Sequence, residues 1–119
     1  MSNMTAEEMP QDVKAIKDWI VQNKPFMLDV RSAGEVASNN IPGVLNISIQ
    51  ELNSGSVAKA KEAANGRPLG IYCASGGRSR MAVELFNQQK YPCFNCHTVD
   101  TMKYVFRVSP EAKQAAGVV

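Results

Sequence analysis

The chain is poor in the residues that announce a metal or haem centre. It holds one histidine and three cysteines among 119 residues. A zinc site takes about four ligands, and His97 with scattered thiols supplies too few. The odd cysteine count, in a chain of this length, argues against a disulfide framework and for free thiols in a reducing compartment. Charge of one sign is also scarce. The formal net charge of +2 is too small to point to nucleic acid or a membrane surface. No apolar run approaches the roughly 20 residues that span a bilayer. Met1 to Asp12 is polar and acidic and lacks the basic and apolar regions of a secretory signal. The expected location is the cytoplasm; a periplasmic one requires a leader removed from the sequence.

What remains is ordinary for a globular chain, with 45% hydrophobic and 20% charged residues. The length suits one domain with its own core. Residues 1–9 read as a flexible lead and 10–119 as a single domain. Val13, Ile16, Trp19 and Ile20 have helical spacing behind Pro10, which sits near a helix start. Lys24-Pro25 ends that helix. Phe26 to Val30 is a near-continuous apolar run of strand length, as in a parallel sheet covered on both faces. Further strands are expected at Val44–Ile47, Leu69–Cys73 and Cys93–Val99. Helices are expected at 32–38, 56–64, 79–90 and 101–116, the last split at Ser109-Pro110. The third of these should bury Met81, Ala82, Leu85 and Phe86. Strands alternating with helices predict an α/β domain with a parallel sheet and right-handed crossovers.

The informative stretch is Cys73-Ala74-Ser75-Gly76-Gly77-Arg78-Ser79. It follows a strand and opens a helix, which is where open α/β sheets bind ligands. A thiolate is the nucleophilic form of cysteine, and a helix N-terminus or a neighbouring cation favours it. Gly76 and Gly77 permit backbone angles closed to other residues, so successive N–H groups can turn inward as an anion cup. Arg78 offers a planar donor fork for an oxyanion, and Ser79 is placed to cap the helix. A lone cysteine at a strand end is more often a small buried hydrophobe. The conjunction of strand, thiol, glycines, arginine and helix is what marks a nucleophile.

At these residues the sequence resembles the rhodanese family of sulfurtransferases. Phe26-Met27-Leu28-Asp29-Val30-Arg31 with Glu35, the segment Ile41-Pro42-Gly43-Val44-Leu45-Asn46-Ile47, and Ile71-Tyr72-Cys73 through Ser79 occur in the family's order and spacing. The resemblance implies a rhodanese-like doubly wound α/β domain with a central parallel sheet of about five strands flanked by helices. It implies that Cys73 takes sulfane sulfur from thiosulfate or a persulfide donor, becomes a persulfide, and yields the sulfur to cyanide or a thiol. The backbone from Ala74 to Ser79 would hold the persulfide and Arg78 the anionic donor, with no cofactor and no metal. The implied partners are a small donor and acceptor, with a protein persulfide as a further candidate. Asp29 and Arg31 would lie at the neighbouring strand end, Asp29 chiefly tying down a loop. Two departures stand out. Asn39-Asn40 replaces the family's Gly-His, and Val99 to Phe106 lacks its Gly-Gly-x-x-x-Trp segment, so the last helices are expected to pack differently.

Rival readings make different demands. A cysteine phosphatase or arsenate reductase of the same fold places five residues between Cys and Arg, whereas four separate Cys73 from Arg78. A binding module that has lost catalysis often lacks the cysteine. Cys93-Phe94-Asn95-Cys96-His97 matches the c-type haem pattern, but it falls in a predicted strand, where positions three apart point to opposite faces. A thioredoxin-like dithiol belongs at a helix start. Cys93 and Cys96 therefore read as packed strand thiols. Trp19 reads as core, and Met81 and Met102 as packing residues.

Overall fold

The computed structural model describes residues 11–118. The expected flexible lead at 1–9 and Pro10 lie outside the described residues. Helix α1 (Gln11–Asn23) is followed by β1 (Phe26–Asp29), a short α2 (Ala33–Ser38) and β2 (Leu45–Asn46). A 3-10 turn at Ile49–Glu51 leads into α3 (Ser54–Ala64). Then come β3 (Leu69–Cys73), α4 (Gly77–Gln88), β4 (Cys93–Thr98), α5 (Val99–Val108) and α6 (Pro110–Ala115). The sheet has the order β2-β1-β3-β4 and every pairing is parallel. Four strands, rather than about five, form it among the described residues. The four apolar runs visible in the sequence are those strands, and the chain beyond β4 continues as helix.

Alternation along the strands divides the core between two faces. Met27, Tyr72 and Cys96 face Ile16 and Ile20 of α1, Met102, Val105 and Phe106 of α5, and Ala112 of α6. Leu28, Leu69, Ile71 and Cys73 face Val57 and Ala60 of α3 and Ala82 and Phe86 of α4. The sheet is thus covered on both sides, which is why β1 and β3 carry almost no polar residue. Gly70 is required by packing. A Cβ there would stand 2.8 Å from Met27 Sδ and 3.3 Å from Cys96 Sγ.

Three expectations are corrected. Helix α4 begins at Gly77 rather than Ser79, and its buried positions are Ser79, Ala82 and Phe86. Met81 lies off that stripe and is 58% exposed. Val99 starts α5, with Thr98 Oγ1 capping it by accepting from Thr101 N at 3.0 Å. Trp19, read as core, does pack against it: half-buried, it stacks on Phe94 with ring centroids 4.9 Å apart. The two departures noted in the sequence meet in space. Asn39 Nδ2 donates to Asp100 Oδ1 at 3.5 Å, and Lys103 Nζ donates to Asn39 Oδ1, so the end of α2 is tied to α5.

Candidate functional site

Cys73 ends β3 and is fully buried. The chain then turns sharply so that α4 starts directly over the sulfur. Gly76 makes that turn with φ +93, in the region that favours glycine. Its N–H donates to Cys73 Sγ at 2.9 Å, and Ser79 N donates at 3.3 Å. Ser79 Oγ stands 3.4 Å from the sulfur. The cup expected from the sequence is therefore closed around Sγ, at the positive end of a 12-residue helix.

Two opposing effects act on the thiol. Burial pushes its pKa up, while hydrogen bonds from Ser79 Oγ, Ser79 N, Gly76 N and Ser75 N pull it down, and the sum is a lowered pKa. Cys93 receives no such hydrogen bond and Cys96 only one, from the Ile71 backbone, so burial prevails at both. Burial pushes Cys93 up to about 11 and Cys96 up to about 12. They also lie on opposite faces of β4, Cys96 toward α1 and α5 and Cys93 toward α4. That is the placement that strand alternation predicts, and it separates them for any shared ligand. Among the described residues no cluster of three or more His, Cys, Asp or Glu side chains is arranged to hold a metal.

Ser79 does not cap α4 with its side chain. The N-cap is Gly76, and Ser79 is the third helical residue, turned inward and wholly buried. Ala74, Ser75 and Gly77 form the exposed crest of the loop, while Gly76 is buried. Arg78 does not point freely at the cup. Its Nη1 and Nη2 donate to Glu35 Oε1 and Oε2 at 2.6 and 2.8 Å. The Arg78 guanidinium holds the Glu35 carboxyl well below the usual range. Glu35 is fixed in turn at the start of α2, where it exchanges hydrogen bonds with Ser32 in a capping box.

Asp29 and Arg31 lie at the end of β1, which is paired in register with β3. Asp29 Oδ2 accepts from Arg31 Nη2 at 2.7 Å and Asp29 Oδ1 from Arg31 N at 2.9 Å. Both residues are 2% exposed. Asn46 Nδ2 donates to the carbonyls of Asp29 and Arg31 at 3.0 and 2.9 Å. These bonds pin the turn after β1, from which Glu35 reaches Arg78.

Asn95 is the site residue that the sequence did not flag. It sits on the α4 face of β4. Its Oδ1 accepts from Ser79 Oγ at 2.7 Å and from His97 N at 2.9 Å. Strand register places it there, because Asn95 pairs with Ile71; the bulge follows it, since Cys73 pairs with Thr98 and β4 carries one extra residue between Asn95 and Thr98. His97, with φ +66, takes the left-handed turn. The only available signal was an Asn inside a strand run, a depleted residue type there.

Three comparisons bear on this arrangement. The profile of the Rhodanese-like domain family matches residues 10–101. A rhodanese-like domain protein of Staphylococcus aureus is 25% identical, with 80% of this chain and 83% of that one covered at a TM-score of 0.51. A protein of Staphylococcus saprophyticus is 26% identical, with 83% and 86% covered at 0.50. The reduced CoADR-RHD of Bacillus anthracis shares the fold at 23% identity and a TM-score of 0.54; 94% of this chain aligns, spanning 18% of that protein. No curated protein matches the chain.

Proposed function

The chain belongs to the rhodanese-like domain family, and from that premise we propose that it is a sulfurtransferase working through a persulfide on Cys73. The observation that carries this reading is the pair of N–H groups, from Gly76 and Ser79, aimed at a buried strand-end sulfur. They stabilise a thiolate, the form that attacks sulfane sulfur. In the first step the Cys73 thiolate attacks the outer sulfur of thiosulfate. The Cys73 S–S bond forms, the donor S–S bond breaks, and sulfite leaves with its electron pair. In the second step cyanide, or an acceptor thiolate, attacks the outer persulfide sulfur. Cys73 Sγ then leaves as a thiolate. The covalent intermediate predicts ping-pong kinetics. Because Cys73 is fully buried, the exposed Ala74-Ser75 part of the crest must move aside to admit donor and acceptor.

One observation favours a persulfide over thiosulfate as the better donor. The Arg78 charge is spent on Glu35, so a dianion gains less here than at a free guanidinium. The remaining attraction comes from amides and the helix terminus, which suit a small, singly charged or neutral sulfur donor.

The test is intact-protein mass spectrometry after incubation with thiosulfate and, separately, with a low-molecular-weight persulfide. The expected result is a gain of one sulfur, located at Cys73, reversed by cyanide and lost in Cys73→Ala. A protein that takes up no sulfur from either donor while remaining folded is a binding module instead.

A further inference from the structure

The hydroxyl of Ser79 has one proton and several acceptors. The nearest is Asn95 Oδ1 at 2.7 Å. The Gly76 carbonyl is 3.0 Å away but already accepts from Arg80 N. The His97 carbonyl and Cys73 Sγ each stand 3.4 Å away, and the sulfur changes character with its charge. As a thiol, Sγ donates to Ser79 Oγ, whose own proton is then free for Asn95. As a thiolate, Sγ can only accept, and Ser79 must swing its proton from Asn95 to the sulfur. Ionising Cys73 therefore costs the Ser79–Asn95 hydrogen bond.

We propose that Asn95 is a positioning residue that sets the ionisation of Cys73 through the Ser79 hydroxyl, holding the proton while the sulfur is neutral and releasing it when the sulfur is a thiolate. Asn95 is placed for this by its pairing with Ile71 and by His97 N, which lies in the bulge after it and donates to the same Oδ1 at 2.9 Å. The amide keeps one partner when Ser79 turns away, so the swing leaves no orphaned acceptor. In the reaction proposed above, on which this consequence rests, the same swing stabilises Sγ as it leaves the persulfide. The charged groups beside this network are Arg78, which is paired with Glu35, and, from β1, Asp29, which is paired with Arg31. The remaining titratable neighbour is the exposed His97 imidazole, whose Nδ1 stands 3.4 Å from the position a Gly76 Cβ would take.

The sign of the effect separates this role from a merely structural one. If Asn95 only braced the loop, removing it would loosen the amide cup and raise the Cys73 pKa. If it holds the Ser79 proton, removing it lowers that pKa. A net hydrogen bond of about 0.5–1.5 kcal/mol corresponds to a fall of roughly 0.4–1 pH unit. The experiment follows alkylation of Cys73 by iodoacetamide against pH, read by peptide mass spectrometry, in the full chain. Asn95→Leu and Asn95→Ala are compared with the parent and with Ser79→Ala, each checked for a native circular dichroism spectrum. The expected results are an inflection lowered by about half a unit or more in both Asn95 variants, raised in Ser79→Ala, and unmoved when Asn95→Leu is added to Ser79→Ala. An unchanged or raised inflection in the Asn95 variants overturns the proposal, as does a drop that persists without Ser79. Alkylation needs no sulfur donor, so a failed persulfide reaction leaves this result readable.

Discussion

The Asp29–Arg31 pair gives the sharpest stability prediction. Its carboxylate takes the Arg31 Nη2 at 2.7 Å and Nε at 3.1 Å on Oδ2, and the Arg31 backbone N–H at 2.9 Å on Oδ1. With side chains 2–3% exposed, neither partner can be rescued by water. Arg31 is held in the charged form, its pKa raised by the hydrogen bonds it donates to Asp29. Asp29→Asn keeps the shape but removes the charge, and it presents an NH₂ to a guanidinium that only donates. Stranding one member of a buried pair costs about 3–5 kcal/mol. With a urea slope of about 2 kcal/mol/M, the unfolding midpoint should fall by roughly 1.5–2.5 M. Urea titration followed by fluorescence of Trp19 and by circular dichroism measures it. Adding Arg31→Met removes the stranded charge and should recover at least half of the loss. A midpoint moved by less than about 0.3 M in Asp29→Asn, or a double variant no better than the single, would refute the buried-pair argument.

Further expectations follow from the same geometry. At pH 7 iodoacetamide should modify Cys73 well ahead of Cys93 and Cys96: a lowered pKa against about 11 and about 12 gives Cys73 at least roughly 100-fold more thiolate, and peptide mapping reads the order. Gly76→Ala forces a Cβ into φ +93, 3.4 Å from His97 Nδ1; it should cost about 1–2 kcal/mol in urea unfolding and raise the alkylation inflection as its N–H loses aim. Glu35→Gln should free Arg78 and lower KM for thiosulfate more than for a persulfide donor in steady-state assays. Since the Glu35 carboxyl has a depressed folded pKa, its contribution is complete above the unfolded glutamate value of about 4.3 and fades as pH falls below it. The melting temperatures of parent and Glu35→Gln should therefore converge in acid.

The strands, the alternation that covers the sheet twice, and the loop around Cys73 are legible in the sequence. These are local matters. Short apolar runs, helix-breaking Lys24-Pro25, and a glycine pair after a strand specify their own backbone without help from distant residues. The four-residue gap between Cys73 and Arg78 likewise sets the length of that loop. Tertiary structure decided the partners. Arg78 looks like a free anion ligand until the turn after β1 brings Glu35 against it, 43 positions away. Asn95 looks like an unfavourable strand residue until the pairing of β4 with β3 brings it against Ser79 of α4. Ser79 looks like a cap until the helix starts two residues early and buries its hydroxyl against the sulfur. Hydrogen-bond partners are chosen by which strand ends meet, and no spacing along the chain records that.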